Sequence, residues 1–212
     1  MPEVISIERD GPAAARVALE RRIPAGELAV FPADGLYGLA CDPLDPGAIE
    51  RIHELKGREE GKPSAVMYLS PLAMREVVAG LGPVARRAVA ALLPGPATLV
   101  VENPELRYPL ACGGDPSRLG VRLIQGPLAG VMCPLFQTSA NLSGEAPPSR
   151  FVEVPTAILD GADLAIDGGE LTGLPSTVVD ISRIDESGEW RVLREGAIAE
   201  DEVVARIAAI LR

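Results

Sequence analysis

The chain has almost no lysine. Only Lys56 and Lys62 are lysine among its 20 basic residues; the rest are arginines spread along the sequence. Aromatic residues make up 3%, so Val, Leu, Ile and Ala must fill the core. Histidine occurs once, at His53, among Ile49, Ile52 and Leu55 in a helical pattern. That setting suits packing rather than catalysis and leaves no Ser-His-Asp triad to assemble. The three cysteines, Cys41, Cys112 and Cys133, are widely spaced and form no CxxC. They argue against a disulfide frame or a zinc site and suit buried thiols in a reducing compartment. No uncharged apolar run approaches a membrane span. The N-terminus has no basic stretch leading into an apolar one. These absences predict a soluble, cytoplasmic protein with no membrane partner and no resident metal ligands. The formal net charge of -10 argues against broad gripping of nucleic acid. It leaves room for one local cationic pocket.

Two nucleotide signatures are also missing. There is no GxGxxG. The segment Gly57-x-x-x-Gly61-Lys62 superficially suggests a P-loop, but a Walker A loop needs four residues between the glycines and Ser or Thr after the lysine. Here three intervene and Pro63 follows.

What is present is apolar and well punctuated. At 212 residues and 47% hydrophobic, the chain can bury a substantial core. Strand signals fall at 4–7, 28–31, 39–41, 65–69, 98–101, 121–124 and 135–137. A further pair falls at 178–181 and 190–193. Helical patterns run over 12–22, 46–56, 71–79, 83–93 and 201–211, with a short helical stretch between the strands at 121–124 and 135–137. In the last helix Val203, Val204, Ile207 and Ile210 form the apolar face. The elements interleave without a regular βαβ rhythm, repeat or long linker. This predicts one α/β domain over residues 1–212 with a twisted mixed sheet, and chemistry on loops at one side.

Three polar segments stand out. Lys56-Gly57-Arg58-Glu59-Glu60-Gly61-Lys62-Pro63 gathers both lysines around an arginine after a helix. Such a loop either holds an anion, phosphate first, or is a solvated face. Thr138-Ser139-Ala140-Asn141-Leu142-Ser143-Gly144 offers hydroxyls and an amide after a strand. These groups bind phosphate or a small polar substrate, or else bond their own backbone in a turn. The third series is Asp167-Gly168-Gly169, Ser176-Thr177-Val178-Val179-Asp180 and Arg194-Glu195-Gly196. Its glycines would let backbone approach a ligand.

Taken in order, these segments resemble the YrdC/Sua5/YciO family over about 28–196. The resemblance also rests on Phe31-Pro32-Ala33-Asp34-Gly35-Leu36-Tyr37-Gly38-Leu39, Leu93-Pro94-Gly95-Pro96-Ala97-Thr98-Leu99 and Val121-Arg122. It implies a twisted α/β sheet curled around a cationic pocket, resembling an open barrel. It matches the short members, without the C-terminal domain of the long form. The implied activity is nucleotidyl transfer: L-threonine, bicarbonate and ATP, with Mg²⁺, give L-threonylcarbamoyl-AMP and pyrophosphate. The product serves threonylcarbamoyladenosine formation in tRNA, with partner proteins performing the transfer and any tRNA contact indirect or weak. The family pattern falls on Lys56, Arg58, Ser139 and Asn141 as the catalytic, phosphate-holding set. Ser149, Arg194 and Arg118 fall near the nucleotide. Ala33, Lys62, Arg122, Ser139 and Ser176 fall at the amino-acid side, with Arg122 on its carboxylate.

Two departures accompany the resemblance. Ala33 stands where relatives commonly have Thr, and Gly35 where they often have Thr or Ala. Glu59-Glu60 replaces a commonly neutral or proline-containing pair. The alternatives are therefore a YciO-like paralogue with altered or weak substrate preference, or a non-catalytic RNA-binding module.

Overall fold

Residues 1–57, 59 and 61–211 are described in a computed structural model. The strands are β1 Glu3–Ser6, β2 Ala29–Pro32, β3 Tyr37–Cys41, β4 Ala65–Tyr68, β5 Ala97–Glu102, β6 Arg118–Leu123, β7 Leu135–Ser139, β8 Leu164–Asp167, β9 Thr177–Arg183 and β10 Glu189–Arg194. The helices are α1 Ile7–Asp10, α2 Pro12–Arg22, α3 Pro46–Lys56, α4 Pro71–Gly80, α5 Pro83–Leu92, α6 Thr156–Gly161 and α7 Glu200–Ile210. All ten strands join one open sheet in the order β1-β8-β2-β3-β7-β4-β6-β5-β9-β10. Pairing is mixed: β1 with β8, β8 with β2, β4 with β6 and β5 with β9 are parallel, and the other neighbours antiparallel.

Helix starts follow local chemistry. α2 through α5 each carry a proline in the first turn, where its missing N–H costs nothing. Asp45 caps α3 by accepting from Ala48 N at 3.0 Å. Gly57 ends that helix at φ +58°, a conformation glycine adopts without a Cβ penalty.

Strand alternation divides the core in two. Val30, Leu39, Val66, Leu99, Val121, Phe136 and Val179 point to one face, where α3, α5 and α7 bury Ile52, Val89 and Ile207 with them. Phe31, Ala40, Met67 and Leu135 point to the other, beneath Ala15 and Leu19 of α2. Helix α2 covers only part of that second face. Across β7, β6, β5 and β9 the same phase carries Gln137, Ser139, Arg122, Arg118, Thr98 and Val178, which border a hollow.

Several details differ from the sequence expectation, the unexpected helices α1 and α6 among them. The stretch between β6 and β7 forms turns, with Gly126 at φ +122° and Gly130 at φ +101°. β8, unmarked in the sequence, lies between β1 and β2. Val204 is 44% exposed while Val203 and Ile207 are buried, so the apolar stripe of α7 is narrower than its composition suggests. His53 packs its ring 6.1 Å from that of Phe136, in keeping with a packing role. The cysteines are free thiols: Cys41 and Cys112 are buried, Cys133 partly so. Among the described residues no helix is long and apolar enough to cross a membrane.

Candidate active site

The hollow holds about 650 Å³, within the range of small-molecule sites. The β2–β3 turn, with Asp34 at φ +79°, forms one wall and the 172–176 segment another. Among the described residues three guanidiniums line it, from Arg118, Arg122 and Arg194, against one lining carboxylate, Asp115. An acidic chain thus concentrates positive charge at one place.

Arg122 is the deepest of the three, at 7% exposure. Its Nη1 donates to Gln137 Oε1 at 3.2 Å and its Nη2 to Ala33 O at 3.4 Å. Asp34 Oδ2 stands 4.0 Å from Nη2. Burial lowers the Arg122 pKa to about 10, with Asp34 opposing and Arg194 adding to the fall. The group remains a cation at neutral pH. Burial also raises the Asp34 carboxyl, and Arg122 pulls it back.

On the opposite wall Ser176 Oγ lies 2.8 Å from Thr98 Oγ1. Arg194 Nη2 donates to Ser176 O at 2.8 Å and to its Oγ at 3.3 Å. Arg118 pairs with Asp180, which Arg191 also approaches at 3.5 Å. Burial would raise the Asp180 carboxyl, but the Ser182 hydroxyl and N–H together with Arg118 more than offset it and hold it below its usual range.

Of the residues singled out in the sequence, Ala33, Arg118, Arg122, Ser139, Ser176 and Arg194 line this hollow. Lys56, Asn141, Ser149 and Lys62 do not. Lys56 is 3% exposed. Its ammonium donates to the carbonyls of Ser139 and Asn141, with Asn141 Oδ1 at 3.4 Å. Asn141 Nδ2 in turn donates to Leu142 O and Glu145 O, both at 2.8 Å. Together they pin the loop that follows β7 to the end of α3. Asn141 therefore takes the turn-forming alternative. Ser149 bonds Glu153 through its N and Oγ. Lys62 is exposed and pairs with the exposed Glu59 at 2.9 Å, so that carboxylate does not crowd the hollow. Arg58 and Glu60 lie outside the described residues.

Gly168 does not admit a ligand. A Cβ there would meet Pro32 Cγ at 2.7 Å, and Gly168 N donates to the buried Tyr37 hydroxyl at 3.0 Å. Gln137, Thr98, Asp115 and Leu174 line the hollow without having been marked as site residues. Gln137 was within reach, because it lies two residues before Ser139 on one strand and shares its face. Leu174 was not, because only the fold brings it to Gly35. A Cβ on Gly35 would stand 2.1 Å from Leu174 O, while Gly173 N donates to Gly35 O at 2.9 Å.

An open mixed sheet with a guanidinium-lined hollow against its uncovered face defines a class of α/β proteins suited to small anionic substrates. Comparison with known proteins narrows the class. The Sua5/YciO/YrdC family model, which carries the description "Telomere recombination", matches residues 21–196. A threonylcarbamoyl-AMP synthase from Xanthomonas axonopodis pv. citri is 32% identical over 187 residues, covering 84% of this chain and 97% of that protein. Pyrococcus abyssi Sua5 complexed with L-threonine superposes with a TM-score of 0.83 at 30% identity. That match covers 97% of this chain and 61% of the Pyrococcus chain, so this chain spans about three fifths of it. E. coli YciO superposes with a TM-score of 0.79 at 25% identity, covering 96% of this chain and 100% of YciO. The chain belongs to the Sua5/YciO/YrdC family.

Proposed function

We propose that this chain is a threonylcarbamoyl-AMP synthase. It joins L-threonine, bicarbonate and ATP into L-threonylcarbamoyl-AMP and releases pyrophosphate. The observation that carries the reading is the buried Arg122 guanidinium on the wall of a hollow ringed by two further arginines. A buried guanidinium offers a forked, permanently charged receptor for a carboxylate. Relatives bearing the name of this synthase, and a Sua5 structure holding L-threonine, support the assignment.

The chemistry asks for alignment and charge neutralisation more than for a protein acid or base. The threonine amine takes up bicarbonate to give a carbamate, with loss of water. A carbamate oxygen then attacks the α-phosphorus of ATP as the bond to the pyrophosphate oxygen breaks. Arg122 and the Ser176–Thr98 hydroxyls position the amino acid. Arg194, Arg118 and Ser139 face the nucleotide and spread its charge. Lys56 and Asn141 act on the site by fixing the backbone of Ser139 and the loop beyond it. Mg²⁺ would arrive with ATP as part of the substrate and would supply further shielding of the phosphate charge. Among the described residues no group of three or more His, Cys, Asp or Glu gathers that could hold an ion. The product is an activated carbamoyl donor for tRNA modification in the cytoplasm, passed on by partner proteins.

Pyrophosphate release tests the assignment. It should require threonine and bicarbonate together and be lost when Arg122 becomes Met. Release that ignores both substrates would refute it. One observation favours a second reading, a paralogue of altered amino-acid preference: Ala33 brings only a methyl to the wall beside Arg122. If that were so, Ala33→Thr would improve threonine use and another amine would outperform threonine in the unmodified chain.

A further inference from the structure

Gln137 is a buried amide with a fixed orientation and one unused end. It is 9% exposed and sits on β7, on the face it shares with Ser139. Arg122 Nη1 donates to it at 3.2 Å. A guanidinium has donors only, so the atom it meets must be the amide oxygen, and the amide NH₂ is turned the other way. There Nε2 reaches the space over Gly38. A Cβ built on that glycine would stand 3.1 Å from Gln137 Nε2 and 2.9 Å from Ala33 Cβ. Glycine at 38 leaves room for the amide itself, since a Cβ there would also meet Phe31 Cε1 at 3.0 Å. Among the described residues Nε2 donates to no protein acceptor, nor is it among the sealed polar atoms. Arg122 Nε has no partner either but is sealed from the hollow, so the guanidinium meets a ligand through its Nη atoms. Gln137 and Arg122 both line the hollow, so an amide donor and a cation border it side by side. A small oxyanion suits both, because it offers several lone pairs and a charge opposite to that of the guanidinium.

We propose that Gln137 is a substrate-binding residue whose Nε2 donates to the carboxylate of the amino-acid substrate, while its Oε1 holds the Arg122 guanidinium toward the same group. Gln137 and Arg122 form one carboxylate receptor. The identity of the amino acid rests on the synthase reading; the receptor rests on this geometry.

The test is a calorimetric titration of L-threonine, with and without the α,β-methylene analogue of ATP, into the unaltered chain, Gln137→Met and Gln137→Glu. Both variants should weaken threonine binding about 10- to 100-fold, as expected for a lost hydrogen bond to a charged group. Gln137→Glu should be the worse, because it sets a carboxylate against the ligand's own. Affinity for the ATP analogue should stay within about twofold. A purely structural role gives the opposite pattern, since glutamate preserves both the shape and the acceptor for Arg122. The proposal is overturned by Gln137→Glu binding threonine as the unaltered chain does, or by both ligands weakening in step. An unaltered chain that binds no threonine overturns it together with the synthase reading. Threonine binding lost in both variants, but with no threonylcarbamoyl-AMP formed by the unaltered chain, sinks the synthase reading and leaves the receptor standing.

Discussion

Gly35→Ala is the smallest change that should disturb both the wall of the site and the stability of the chain. An added Cβ would stand 2.1 Å from the Leu174 carbonyl oxygen and 2.8 Å from Thr172 Oγ1. The first of these is backbone, with no flexible tip to swing aside. Restoring ordinary contact demands a shift of about 1 Å. The hydrogen bond from Gly173 N to Gly35 O, at 2.9 Å, resists that shift. The segment that must lift carries Leu174, Pro175 and Ser176, all of which line the hollow. Overpacking of this kind costs about 1–3 kcal/mol. For a chain of this length, each kcal/mol lowers Tm by about 2–4 °C. We therefore expect Gly35→Ala to melt about 2–12 °C below the unaltered chain. Misplacing the Ser176 hydroxyl removes a neutral hydrogen bond of about 0.5–1.5 kcal/mol, a 2- to 13-fold rise in KM for threonine. Gly114→Ala is the control: its Cβ would meet nothing within 4 Å. Calorimetric melting and threonine-dependent pyrophosphate release read both effects. Gly35→Ala that melts within 1 °C of Gly114→Ala, with an unchanged KM, would refute the argument that the 172–176 segment is seated by a missing side chain.

The other expectations are narrower. Lys56→Met leaves the carbonyls of Ser139 and Asn141 without their donor. It should cost about 2–5 kcal/mol in chemical denaturation and lower kcat as the loop loosens. Arg122→Lys keeps the charge but loses the fork, and should raise the KM for threonine about tenfold while leaving that for ATP within twofold. Asp180 has a depressed pKa in the folded chain. Its stabilising effect is therefore present above the unfolded value of about 3.9 and lost as pH falls through the folded value. Asp180→Asn should be less stable at pH 7, and melting curves taken at falling pH should show the gap closing.

Much of the architecture could be read from the chain because its signals are local. Proline at the first turn of α2 to α5 and glycine after α3 mark helix ends without reference to the fold. The alternation in β6 that buries Leu119, Val121 and Leu123 necessarily sends Arg118 and Arg122 to the other face. β8 escaped because four residues, Leu-Ala-Ile-Asp, carry no alternation; its strand character comes from parallel partners distant in sequence. The helical stretch expected before β7 failed because Gly126 and Gly130 take positive φ, which apolar composition does not reveal. The site divides along the same line. Arg122, Ser176 and Arg194, far apart in sequence, converge on the hollow. Lys56 shows the limit, since a lysine aimed at phosphate and one aimed at carbonyls are identical in sequence. Gln137 shows the reverse: the strand phase places it on the face of Ser139, although a glutamine at a strand end carries no signal of its own.

Mass spectrometry of the products formed from ATP, Mg²⁺, L-threonine and ¹³C-bicarbonate, with serine and no-amino-acid controls, decides whether the chain makes threonylcarbamoyl-AMP. The expected result is a threonine-dependent threonylcarbamoyl-AMP species carrying the ¹³C label, absent in Arg122→Met. ATP binding without that species, or a labelled product formed equally well from another amine, would contradict it.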